Sequence, residues 1–340
     1  MHMADALLSP AVGLSMCAVG AASVAYSVRR SSKDDLLDGK VPMMGVMGAF
    51  VFAAQMVNFS IPATGSSGHI GGGVLLAAMV GGYPAMIPLS AVLMIQCLFF
   101  ADGGLLALGC NIFNIAVIPC LIAYPLIFRP IVSKGRTAGR IAAASIISSV
   151  VGLQVGSLCV VLQTWLSGVA ELPFGAFLLF MQPIHLAIGV VEGLVTAAIL
   201  CFVHKARPGI LDGLHGDAGR SPGAPMGKVI AAAALATVLV GGALPFLAST
   251  DPDGLEWSIG NVAEEGLSAP DGGLHGGAAS VQDALAFMPD YEFGGADGDG
   301  AALGPSAAGL VGGAVTFAAA GAAAFGINRY KGRRKAISAK

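Results

Sequence analysis

The sequence predicts an all-α fold: a polytopic membrane helical bundle of about nine transmembrane segments, most of them near or above the length a spanning helix needs. The N-terminus is placed outside and the C-terminus inside. Three observations carry this. Charged residues make up only 11% of the 340-residue chain, against about 25% in ordinary soluble domains. Hydrophobic residues make up 55%, and the mean hydropathy is +0.78. All 18 Lys and Arg fall into four clusters, at 29–40, 129–140, 205–228 and 329–340. Cytoplasmic loops collect Lys and Arg, so the clusters orient the chain.

Taken in order, the apolar stretches run over 10–28, 42–59, 71–85, 86–100, 105–128, 141–168, 174–203, 228–248 and 306–327. The first is expected to start at Ser9-Pro10, with Ser as N-cap and Pro at the first helical position. The stretch before it has no basic region and carries Asp5, so it does not read as a secretory signal peptide. The third and fourth segments are short and are divided by Gly81-Gly82-Tyr83-Pro84. They form either two short helices or a re-entrant pair, and contribute an even number of crossings in both cases. From an external start, the four basic clusters then fall in the cytoplasm, and the chain sits in the plasma (inner) membrane as a multi-pass protein.

Composition divides the chain into three parts. Residues 1–205 form one apolar bundle. Residues 206–227 form a Gly/Pro-rich cytoplasmic linker, and 228–340 a two-helix hairpin around a long external loop, 249–305. That loop carries eleven Asp or Glu and no Lys or Arg, which suits the outer face and argues against nucleic acid as a partner. Its Gly/Asp/Ala-rich end, 294–304, is expected to be mobile. Leu255 and Trp257 are expected to anchor the loop on the bundle. The six cysteines lie in apolar stretches with no CxxC pair and read as small core residues.

The chemistry concentrates at two places on the outer side. A free amine at Met1, the His2 amide and the His2 imidazole lie a few bonds apart, so they can close small rings around one ion. One further nitrogen completes a planar set suited to Ni²⁺ or Cu²⁺. The second place is His69, in the polar, Gly-rich run VNFSIPATGSSGHIGGG at 57–73. A loop histidine bonded to backbone is the plainer reading of His69, and the shared outer side is what links it to His2. Asn58, Ser67, Asp102, Asn111, His185 and Glu192 are the candidate supporting or pathway residues. Asp102 caps the next helix or orients a ligand histidine. His185 and Glu192 lie seven residues apart on one helix, about 10 Å along its axis. They form either a helix–helix polar contact or part of a path, because ionisable groups at membrane depth are costly. No nucleotide site is expected: Gly227-Lys228 has Pro222, and Gly39-Lys40 has Asp34, where a Walker A loop needs Gly.

MHMADALLSP at 1–10, the His69 run, ADGGLLALGCNIFN at 101–114 and HLAIGVVEGLVTAA at 185–198 together resemble the CbiM/NikM family. These are the substrate-binding membrane components of cobalt and nickel energy-coupling-factor importers. The resemblance covers 1–205. Residues 228–340, with DPDGLEWSI at 251–259, resemble the small CbiN/NikN-like two-helix component, so the chain looks like a fusion of the two. The resemblance implies that Ni²⁺ or Co²⁺ is the transported substrate, held by the Met1 amine, the His2 amide and imidazole nitrogens and His69. It also implies a transmembrane coupling component and cytoplasmic ATPase subunits as partners, and no catalysis by this chain. The chain departs from the family's usual N-terminal pattern at Met3-Ala4-Asp5-Ala6. Two other classes compete on the residues alone. A membrane metalloenzyme would need an open metal position and turnover of a substrate. A passive channel would bind ions weakly enough to release them.

Overall fold

The computed structural model describes residues 2–34, 37–212, 225–263, 267, 272–293 and 299–338. Helix α1 spans Pro10–Ser31, with Ser9 accepting from the Val12 N–H and Pro10 at its first position, as the cap chemistry predicts. Helix α2 spans Leu37–Gln55. The chain then turns through a two-stranded hairpin, β1 (Phe59–Ile61) and β2 (Ser66–Gly68), paired antiparallel with Ser60 opposite Ser67. Helices α3 (Gly73–Val80) and α4 (Gly82–Phe100) follow. Helix α5 spans Leu108–Ser133, α6 Ala138–Ser167 and α7 Phe174–Ala206. The C-terminal part supplies α8 (Met226–Gly242), α9 (Gly254–Gly260), α10 (Gly273–Leu285) and α11 (Asp299–Ser338).

Six helices among the described residues are long and apolar enough to cross a membrane. The expected count of nine is not reached on that criterion. The main departure is at 71–100. Helix α3 has eight residues, which at 1.5 Å per residue reach about 12 Å, less than half a bilayer core. Helix α4 has 19 and is long enough by itself. The boundary also moves. Gly81, at φ +99°, makes the reversal, whereas Pro84 lies in the first turn of α4, where its missing N–H has no helical partner to lose.

Helix α5 winds with π-type hydrogen bonding over Ile112–Phe128. Pro119 and Pro125 lie within that stretch, and each removes a backbone donor that α-helical winding would need. Helices α6 and α7 form the most extensive helix pair. A Cβ on Gly193 would meet the Ile146 Cα at 2.6 Å, and one on Gly189 would meet the Val150 Cα at 3.0 Å. Small residues here let the two backbones touch, the usual basis of helix association in lipid. On the outward faces, Leu126, Leu179 and Phe202 are about 70% exposed, which suits contact with acyl chains.

The C-terminal hairpin packs on the bundle. Helices α8 and α11 lie against α2, and the Gly241 and Gly309 backbones approach each other closely. Phe52 sits against Gly312, and Thr316 and Ala320 against Gly48. Met288, Ala308 and Ala324 belong to the same buried cluster as Phe52 and Phe100. The 206–227 boundary falls largely on 213–224, outside the described residues. So do 294–298 of the Gly/Asp-rich tract. From Asp299 that tract is helical, as the start of α11.

Candidate metal centre

The segment after Met1 enters the bundle as a fixed strand of chain. The Met3 N–H donates to Asn111 Oδ1 at 2.7 Å, and Asn111 Nδ2 donates back to the Met3 carbonyl at 3.2 Å. The Gly104 N–H donates to the same carbonyl at 2.9 Å. Asp5 Oδ1 accepts from the Ala107 N–H at 2.9 Å, so Asp5, at one of the positions that depart from the family pattern, holds the turn leading into α5. Met3, Leu7 and Leu8 are fully buried. Asn111 thus serves the backbone beside His2, and Asp102 does not cap α5.

These anchors bring His2 against His69. The ring centroids are 5.4 Å apart and the planes differ by 19°. His2 Nδ1 lies 3.3 Å from Asp102 Oδ1, and its Nε2 is buried with no hydrogen-bond partner among the described residues. His69 Nδ1 lies 3.2 Å from the Ile70 carbonyl. A carbonyl can only accept, so Nδ1 carries the proton and Nε2 keeps its lone pair. Burial pushes the His69 imidazole down to about 4 and lowers that of His2, against the pull of the nearby Asp102 charge. Both rings are therefore neutral at neutral pH. Neutral imidazole is the form that binds Ni²⁺, Co²⁺ and similar borderline ions. Met1 lies outside the described residues.

The loop carrying His69 is held from two directions. Glu192, on α7, accepts the Gly71 N–H at 2.8 Å and the Gly72 N–H at 3.1 Å, at the N-terminus of α3, where a carboxylate is favoured. Gln55 Nε2 donates to the Gly71 carbonyl at 3.0 Å, and Gln96 Nε2 donates to Gln55 Oε1 at 2.7 Å. On the other side, Ser67 Oγ donates to the Asp251 carbonyl at 2.7 Å and its N–H to the Pro252 carbonyl at 2.8 Å. Ser67 thus docks the C-terminal loop. Leu255 is buried against Met3 and Leu7, and Trp257 Nε1 donates to the Thr64 carbonyl at 2.9 Å. Asn58 accepts the Ser249 N–H through its carbonyl, and its buried Oδ1 has no partner among the described residues.

A cavity of about 390 Å³ opens over the two histidines, lined also by Asn58, Asp102, Asp253, Glu256, Asp290 and Glu292. His185 does not reach this outer cavity, and neither does Glu192. They line a smaller one behind His69. Two residues here were not singled out by sequence reasoning. Asp253 lines both cavities. Its carboxylate accepts the Leu255 and Glu256 N–H groups in a capping box that starts α9, and that Asp-x-x-Glu spacing was readable. Tyr291 donates its hydroxyl to Asp102 Oδ2 across 189 residues of sequence, a contact with no local signal.

Residues 2–210 match the family described as "Cobalt uptake substrate-specific transmembrane region", and 227–329 match the PDGLE domain. The fused nickel transport protein NikMN of Rhodobacter capsulatus is 30% identical over 325 residues, covering 86% of this chain and 88% of the relative. The cobalt transport protein CbiM of Geobacter sulfurreducens is 27% identical over 220 residues, covering 62% of this chain and 61% of the relative. A crystal structure of a transition metal transporter is similar with a TM-score of 0.53 and 29% identity, over 60% of this chain and 93% of that one.

Proposed function

The chain belongs to the cobalt-uptake substrate-specific transmembrane family, CbiM, and from that membership we propose that it captures Ni²⁺ or Co²⁺ for uptake. It is a multi-pass membrane transport component rather than an enzyme. In this reading it is the substrate-capture subunit of an ATP-driven energy-coupling-factor importer. A separate transmembrane coupling component and cytoplasmic ATPase subunits supply the driving force, and this chain binds no nucleotide. The Met1 amine, the His2 amide and imidazole and the His69 imidazole hold the ion. The C-terminal PDGLE segment belongs to the same working unit.

The observation that carries this reading is the pairing of His2 and His69 at 5.4 Å below an outer cavity lined by Asp and Glu. Two neutral nitrogen donors come from positions 67 residues apart in sequence (69 − 2 = 67), each fixed by its own buried hydrogen bonds. Carboxylates outside them raise the local concentration of divalent cations.

The test is calorimetric titration of the purified full-length chain with Ni²⁺ and Co²⁺. His2→Ala and His69→Ala are each expected to abolish tight binding while the protein remains folded. Adding one residue before Met1 is expected to do the same, because it moves the amine away from the His2 nitrogens. Wild-type affinity in a verified N-terminally extended protein would remove the amine from the ligand set. Wild-type affinity in His69→Ala would place the ion elsewhere.

A further inference from the structure

Behind the paired histidines lies a second, smaller cavity of about 30 Å³, bounded by α3, α5, α6 and α7. His69 and Asp253 line both this cavity and the outer one, so the two residues form the partition between them. The remaining polar lining is Asn114, Ser149, His185 and Glu192. Asn114 is committed to a mutual amide pair with Gln163. The others retain unused capacity.

His185 is 1% exposed, and its Nδ1 lies 2.8 Å from the Met181 carbonyl. A carbonyl cannot donate, so Nδ1 carries the proton and Nε2 bears a lone pair. That Nε2 is buried with no hydrogen-bond partner among the described residues, as is Ser149 Oγ. A buried acceptor is costly until a donor or a cation reaches it. Glu192 accepts two backbone N–H groups, and each carboxylate oxygen keeps capacity for another partner. A cavity of this size accommodates about one water or one small ion.

We propose that this inner cavity is a second, weaker station for the transported divalent ion, bound first by His185 Nε2 and then by Glu192. The ion enters it from the outer site by passing between His69 and Asp253. The proposal rests on the metal-uptake reading above and extends it inward. An imidazole and a carboxylate suit the same borderline divalent ions as the outer site. The two side chains are separated by two helical turns, about 10 Å, so they act in sequence and do not grip one ion together. That fits a station on a path, which must release what it binds.

Two variants of the full-length chain test this: His185→Gln, whose amide can still donate to the Met181 carbonyl, and Ser149→Val, which narrows the cavity from α6; Glu192 is left in place because it holds the His69 loop. Each is titrated with Ni²⁺ after purification, and each is assayed for initial radioactive nickel uptake in cells carrying the complete transporter. Tight affinity is expected to stay within about twofold of wild type, while uptake falls by about tenfold or more. A spectroscopic readout adds independence. At high Co²⁺, His2→Ala is expected to show one weak equivalent in the visible absorption spectrum that His185→Gln removes in the double variant. Wild-type uptake in both His185→Gln and Ser149→Val would mean that the cavity holds water only and would overturn the proposal. So would loss of tight affinity in proportion to uptake, which would assign His185 to the outer site. Persistence of the weak equivalent without His185 would overturn it as well. A wild-type chain that binds neither ion would instead overturn the uptake reading itself, and the titration alone would reveal that.

Discussion

Burial sets the protonation of the two outer histidines before any ion arrives. His69 is pushed down to about 4, while in the unfolded chain it titrates near 6.5. Between those values the unfolded state binds the extra proton, so stability from this group is full above about pH 6.5 and is lost as pH falls toward 4. The difference corresponds to at most about 3 kcal/mol, and to less here, because His69 is only partly buried. The metal-free protein in detergent is therefore expected to unfold at lower temperature at pH 5 than at pH 7, and His69→Ala to weaken that dependence. An unfolding temperature that is flat over this range in wild type would contradict neutral burial. Tyr291 acts one step further out. Its ring stacks on Phe100 at 5.0 Å, so Tyr291→Phe keeps the packing and removes only the hydroxyl that reaches Asp102. Nickel affinity is expected to fall about fivefold, the equivalent of one hydrogen bond of about 1 kcal/mol, with the unfolding temperature nearly unchanged. Titration of that variant at wild-type affinity would show that Asp102 needs no support from Tyr291. His2 and His69 stand out in the sequence as histidines in terminal and polar, Gly-rich contexts, and the structure brings their rings to 5.4 Å. The cap that Asp253 makes is local and was readable, whereas its place beside His69 was not, and Tyr291 was not because its partner Asp102 lies 189 residues away.

Helices and their caps follow from local chemistry. The Ser9-Pro10 start of α1 and the Thr137 cap of α6, which accepts from the Arg140 N–H, need no tertiary information. The contact between α6 and α7 does. Gly193 permits an approach that a Cβ would prevent, at 2.6 Å from the Ile146 Cα. Gly193→Leu is expected to force the helices apart and cost about 1–3 kcal/mol or more from overpacking, read as reduced folded yield and a lower unfolding temperature. Gly175→Ala, in open space on the same helix, serves as the control and is expected to have little effect. No loss in Gly193→Leu would mean that the close crossing does not limit this pair, since helix propensity alone favours both replacements of Gly. The division at 71–100 shows the limit of reading elements locally. Gly81-Gly82-Tyr83-Pro84 signals a break, yet whether Gly81 or Pro84 makes the turn depends on what surrounds it. Here the Gly82 backbone packs against the Cys120 carbonyl of α5, which fixes where α4 begins.

Over the whole molecule, charge separates along the chain. The 18 Lys and Arg fall into four clusters along the sequence, and the acidic 249–305 stretch brings Asp290 and Glu292 to the outer cavity. In the proposed reading these two carboxylates contribute to the field around the site, and fields act mainly on the rate of encounter. Asp290→Asn with Glu292→Gln is expected to slow Ni²⁺ capture in stopped-flow mixing by a few-fold at low salt and to flatten its salt dependence, with a smaller change in equilibrium affinity. Unchanged salt dependence would show that the outer cavity exerts no steering. The C-terminal hairpin has a second, direct role. It shares a buried cluster with α2 and α4 and places its PDGLE turn on the loop that carries His69.

The sequence by itself determined the solvent and the class of this protein. Those depend on composition and on where Lys and Arg fall, and no contact between distant residues is needed to read them. It also named the two histidines, since donor chemistry belongs to the residue. What the tertiary structure decided is which groups share a space. That His69 and Asp253 divide two cavities, that Tyr291 reaches Asp102, and that Glu192 holds Gly71 and Gly72 all depend on segments 120 to 189 residues apart. Such pairings are set by how helices cross and where backbones approach, and a periodic apolar pattern carries no record of which partner each helix will meet.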